Sequence, residues 1–301
     1  MRQQLYKLLQ ERVQQCVSSE RGSNTTCEKI ERKRESLKNR TAEMIKVNAK
    51  GVINEIKSEM DKIENVMYLV HFRYFIKQKK RLYLEEEIEY RKAQFYKGEL
   101  IHDEELNPLQ LHEENLEVPT DIMLDEGEDR LVYHYDRLKA VQYAERWWND
   151  YNPAYKKFDV DCTNYISQCL NAGDAPMRGY PNRGNGWWMQ NQNWSYSWTV
   201  ANSLRWYLPN SKTGLRAREV SSPEELLLGD VICYDFEGDG RFNHTTIVTG
   251  RDADGMPLVN AHTFNSRMRY WAYEDSTAYT PNIKYKFLTI IDDKGIKSIK
   301  S

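Results

Sequence analysis

Apolar residues recur at three-, four- and seven-residue steps along 45–67: Ile45, Val52, Ile56, Met60, Ile63 and Met67. That spacing lines one side of a helix, so it predicts an amphipathic helix that must pack against something. From Cys27 to Lys97 the chain has one glycine and no proline, which again favours long helices. The segment "YFIKQKKRLYLEEEIEYRKAQFY" is read as their continuation, although its "EEIEY" also alternates as a strand would. The charge runs "KQKKR" and "EEE" are assigned to solvated helix faces.

Near residue 130 the pattern changes. Residues 100–130 are acidic, hold two prolines and show little periodicity, and read as a linker or extended arm. "DRLKAVQYAERWWND" then returns to helical spacing, with Asp136 suited to the N-cap. "DCTNYISQCL" reads as a short helix. Beyond 225 come strand-like runs, "GDVICYDF", "HTTIVTG", "PLVNAHT", "RYWAY" and "KYKFLTI", separated by turns such as "EGDG" and "DADG". All eight tryptophans and eleven of the fifteen glycines lie in this second part. The expected architecture is a mainly helical region over 1–130, with its acidic linker, followed by an α+β domain over 131–301.

Charge and cysteine content narrow the function. A net charge of -2 lacks the basic excess expected of a nucleic-acid binder. No apolar run approaches the roughly 18 residues of a membrane span. The start, "MRQQLYKLLQERVQQC", lacks the apolar core of a secretory leader, so the chain as written is expected in the cytoplasm unless a leader has been removed. The five cysteines suggest isolated reduced thiols, and no CxxC or HExxH spacing suggests zinc. "DFEGDG" begins like a calcium loop but lacks the twelfth-position Glu, so a tight turn is expected. No metal or cofactor is expected.

The candidate chemistry centres on Cys162. Thiol catalysis requires a reactive cysteine, a histidine base and a group that orients the imidazole. Cys162 stands where a helix begins, which favours a thiolate and offers backbone N–H groups to an oxyanion, while Asp159 and Asp161 oppose ionisation. Cys169 and Cys233 suit a helix interior and a strand. Two histidines follow Cys162. His244 opens one strand, and Asn260 and His262 share a face of the next. If the two strands form a hairpin, both lie near His244, and the loop length leaves the register open.

In their order, "DCTNYISQCL", "LLLGDVICYDF", "NHTTIVTG" and "PLVNAHT" resemble the putative amidase domain family, which belongs with the NlpC- and CHAP-type papain-like cysteine peptidases and amidases. The resemblance covers roughly 131–290. It implies a papain-like α+β fold in which Cys162 is the nucleophile and its N–H an oxyanion donor. His244 would be the base and Asn260 the orienting residue, with His262 in reserve. It also implies hydrolysis of an amide bond, with peptidoglycan peptides of the bacterial cell wall or a related amide as the substrate class. Asp161, Trp187 and Trp188 are carried as candidate substrate contacts, against the blander expectation that the tryptophans fill the core. Two alternatives remain: an acyltransferase using the same thioester, and a non-catalytic protein whose N-terminal helices bind a partner or self-associate.

Overall fold

The computed structural model describes residues 1–17, 27–58, 62–107 and 133–293. Two helices open the chain, α1 (Arg2–Val17) and α2 (Glu28–Asn39). The expected helical region ends there. Four strands follow: β1 (Ala42–Ser58), β2 (Ile63–Gln78), β3 (Arg81–Tyr96) and β4 (Glu99–Glu105). The mainly helical N-terminal region is therefore corrected to a long antiparallel β-meander with two helices packed on it. Part of the proposed linker is β4, and the linker from 108 onward lies outside the described residues.

Side-chain periodicity explains the correction. Along β2, Val66, Tyr68, Val70, Phe72, Tyr74 and Ile76 are all buried, every second residue facing the helices. β-branched and aromatic side chains of this kind suit a half-buried strand. The helical spacing had instead sampled solvent-facing positions: Ile45, Val52 and Ile56 are exposed on β1. Met60 lies outside the described residues.

The "EEE" run is likewise buried rather than solvated. Glu85, Glu86 and Glu87 on β3 are enclosed, with Glu89 and Arg91 continuing the line. Lys33 of α2 pairs with Glu85 and lies 2.6 Å from Asp275. Lys29 reaches Glu89 at 2.7 Å and Glu105 at 2.9 Å. Arg91 joins Glu89 and Asp103, each at 2.6 Å. Burial alone would raise the Glu89 carboxyl, but Lys29 and Arg91 hold it down to about 2. In "KQKKR" the lysines and Arg81 are exposed, while Gln78 is buried and bonds Arg40 and Asp254. The β3–β4 hairpin turns through Lys97 and Gly98, both at positive φ, as a tight two-residue turn requires.

The second part supplies α3 (Arg137–Trp147), α4 (Cys162–Ala172), a small hairpin β5 (Met189–Gln190) and β6 (Asn193–Trp194), α5 (Tyr196–Thr199) and α6 (Ala201–Asn210). Strands β7 (Ala217–Val220), β8 (Val231–Asp235), β9 (His244–Arg251), β10 (Pro257–Ala261), β11 (Ser266–Tyr270) and β12 (Lys284–Ile290) follow. Asp136 caps α3 by accepting from Lys139 N–H. The strands join the N-terminal meander in one ten-stranded sheet, ordered β1-β2-β3-β11-β10-β9-β8-β12-β7, with β4 also on β3. The seam is β3 against β11, Ser266 opposite Glu87 and Arg267 opposite Glu86. Helices α3, α4 and α6 cover one face of the C-terminal strands, packing Tyr165, Ile166, Cys169 and Leu204 on Val231, Cys233 and Ile247. The other face carries Ile232, Tyr234, Val248, Val259, Phe264 and Tyr273. No helix among the described residues is long and apolar enough to cross a membrane.

Candidate active site

Cys162 is the first residue of α4 and is only 2 % exposed. Thr263 anchors this helix start: its hydroxyl accepts from the N–H groups of Asp161 at 3.0 Å and Cys162 at 3.1 Å. The amide expected to serve an oxyanion is thus occupied. The thiol lies 3.7 Å from Thr163 Oγ1, which in turn meets Thr245 Oγ1 at 3.2 Å. Burial pushes the thiol pKa up, hydrogen bonds from Thr163 and Thr245 counter it, and the Asp161 charge adds to the rise. The resting group is a thiol.

His244, the residue before Thr245, is completely buried. Strand alternation turns its ring away from Thr245, among Tyr273 at 5.4 Å, Phe264 at 5.5 Å, Tyr234 at 5.6 Å and Phe236 at 6.0 Å between ring centres. Neither ring nitrogen has a hydrogen-bond partner among the described residues. Burial, with the Arg269 charge adding to it, lowers its pKa to about 3. The imidazole is neutral, and no hydrogen bond joins it to the thiol.

Asn260 and His262 occupy the other face of the sheet from His244. A register shift opposite β10 sets this. Leu258 stands against Gly250, but Val259 already stands against Val248, so Thr249 bulges and Asn260 faces Ile247. The Asn260 carbonyl accepts from Thr249 Oγ1 at 2.8 Å and Met268 N–H at 2.9 Å, and its amide donates to Glu145 at 2.8 Å. His262 stacks on Tyr165 at 4.0 Å. Its Nδ1 meets Asp161 Oδ2 at 2.9 Å and its Nε2 meets the Trp147 carbonyl at 2.6 Å. These contacts tie the ring to the turn before α4 and to the end of α3. Asp161 also accepts from Phe158 N–H and Asn164 Nδ2. The His262–Asp161 pair therefore fixes the chain entering α4.

Trp187 and Trp188 are both buried, their indole N–H groups donating to Ser167 Oγ and to the Asn182 and Asn185 carbonyls. Neither ring faces solvent. Asp235 accepts from Gly238 and Gly240 N–H and so braces the "EGDG" turn. Among the described residues no group of three or more His, Cys, Asp or Glu side chains is placed to hold a metal ion.

Sequence reasoning missed Thr263 and Thr245. Their role depends on a cross-strand approach that no local pattern announces. It also missed a cleft of about 260 Å³ beside Thr263, bounded by Tyr90 and Arg91 on one side and Tyr151, Lys157 and Phe158 on the other.

The sequence profile described as the putative amidase domain matches residues 134–288, which span both α4 and β9. An uncharacterized protein, YhbB, of Bacillus subtilis (strain 168) is 56% identical over 268 residues, covering 88% of this chain and 86% of its own length. A second uncharacterized protein of that strain, YjcM, is 32% identical over 143 residues, covering 44% of this chain and 32% of its own. No solved structure matches. The family description points to amide hydrolysis. With Cys162 opening a helix and His244 opening a strand inside the matched span, the chain belongs to the putative amidase domain family.

Proposed function

We propose that the chain is a thiol-dependent amidase of papain-like type, acting on peptidoglycan peptides or a related amide. One observation carries the reading: the N-terminus of α4 abuts the start of β9, so the Cys162 thiol meets the residue next to His244. In the reaction Cys162 Sγ bonds to the amide carbonyl carbon while His244 takes the thiol proton. The C–N bond breaks and the leaving amine takes that proton. Water then hydrolyses the thioester, regenerating the thiol. Because thiol and imidazole are both neutral at rest, the proton moves during attack, and the imidazole must first turn toward the sulfur.

The imidazole-orienting role expected of Asn260, with His262 in reserve, requires contact with His244. Their bonds to Glu145 and Asp161 support positioning roles instead, through α3 and the start of α4. The burial of both reacting groups favours one competing reading, a non-catalytic amidase fold.

Iodoacetamide at neutral pH, followed by mass mapping, separates the two. The proposal expects Cys162 to be alkylated ahead of Cys169 and Cys233, and Cys162→Ala to abolish amine release from isolated peptidoglycan peptides. Faster alkylation of Cys169 or Cys233 removes the nucleophile assignment.

A further inference from the structure

The cleft beside Thr263 has walls from both parts of the chain. Tyr90 on β3 comes from the N-terminal meander, and Tyr151 and Phe158 from the loop leading into α4. Thr263, in the same lining, holds the Cys162 N–H, so the cleft opens next to the residue that bears the nucleophile. Asn265 lines it too. This side chain is 4 % exposed, yet its carbonyl oxygen has no partner among the described residues. An unpaired buried acceptor is costly unless something donates to it. Asn265 also borders a second void of about 10 Å³, enough for one water at most.

We infer that this cleft is the substrate-binding subsite and takes a peptide segment carrying an aromatic or large apolar side chain. The inference rests on the amidase reading above. Turned toward the cleft, Asn265 Oδ1 would accept a substrate amide N–H, and the side chain would lie between the rings of Tyr90 and Tyr151. Lys157, exposed and seated 3.9 Å from the Tyr151 ring centre, borders the mouth. The N-terminal meander thereby becomes part of substrate selection, since β3 forms one wall.

Two alkylating probes test this on the full chain: chloroacetamide, and acetyl-phenylalanyl-alanine chloromethyl ketone. In each case Cys162 Sγ bonds to the chloromethyl carbon, chloride leaves and the thiol proton is released. Rates are normalised to those with free cysteine. The expected result is a preference of at least about tenfold for the peptide probe, the equivalent of about 1.4 kcal/mol. Tyr90→Ala and Asn265→Ala should each remove most of this preference, read as the ratio of the two probe rates in the same variant. Lys157→Ala, at an exposed position that does not threaten folding, should lower the preference two- to threefold, by the weak cation–aromatic contact it removes. A wild-type protein with no preference, or variants that keep it, overturns the cleft assignment while leaving Cys162 a nucleophile. Failure of both probes to alkylate Cys162 overturns the amidase reading instead.

Discussion

Both halves of the sheet bury polar groups, but one group in the C-terminal half differs from the network of the N-terminal meander. In the N-terminal meander Glu85, Glu87, Glu89, Lys29, Lys33 and Arg91 are enclosed, and each has a charged or hydrogen-bonding partner. In the C-terminal half His244 is enclosed among aromatic rings, and neither nitrogen has a hydrogen-bond partner among the described residues. A paired buried network explains itself as structure. A buried imidazole without a partner among the described residues is instead a candidate for function.

The largest expected effect tests the paired side. Lys33→Met leaves Glu85 enclosed without its cation, while Asp275 keeps Arg269, and should cost about 3–5 kcal/mol in urea unfolding at pH 7. A loss below about 1 kcal/mol would mean that the network is already solvated.

The next tests the unpaired side. His244 folds with its pKa lowered to about 3 from 6.5, so the unfolded chain binds the extra proton between those values. Stability therefore falls as pH drops from about 6.5 toward 3. Between pH 7 and pH 5 the wild type should lose about 2 kcal/mol more than His244→Phe, whose ring fits the same aromatic surroundings. Parallel losses in the two proteins would show that His244 is protonated or solvated in the folded state.

The smallest effect distinguishes strand from helix at β1. Ile56→Lys should change stability by no more than about 0.5 kcal/mol, because this side chain is 50% exposed. The helical reading would place it in a core and predict a loss several times larger.

Legibility divided along the same line. The second half was readable because its turns are punctuated and its strands are short: α3, α4 and the runs around β8, β9, β10 and β12 all stand close to where their patterns predict. The meander was not, for two reasons. Its first three strands are 16 or 17 residues long, so few turn residues interrupt them. Its buried face also carries glutamates, which hide the two-residue period of β3 that Tyr83, Ala93 and Phe95 would otherwise display. At the candidate site, the helix opening at Cys162 and the strand opening at His244 were readable, but the facing of Asn260 was not. A single bulged residue, Thr249, sets it, and no local sequence signal marks that bulge.

The seam between β3 and β11 has a consequence for the chain as it is being made. Glu86 and its partner Arg267 are 181 residues apart. At a synthesis rate of about 5–20 residues per second, the edge of β3 waits roughly 10–35 s on the ribosome before β11 emerges to cover it. A bare strand edge of that length invites pairing with a neighbouring nascent chain. The closely spaced carboxylates from Glu85 to Glu89 would repel an identical edge from a second copy, guarding the half-made sheet until its own partner arrives.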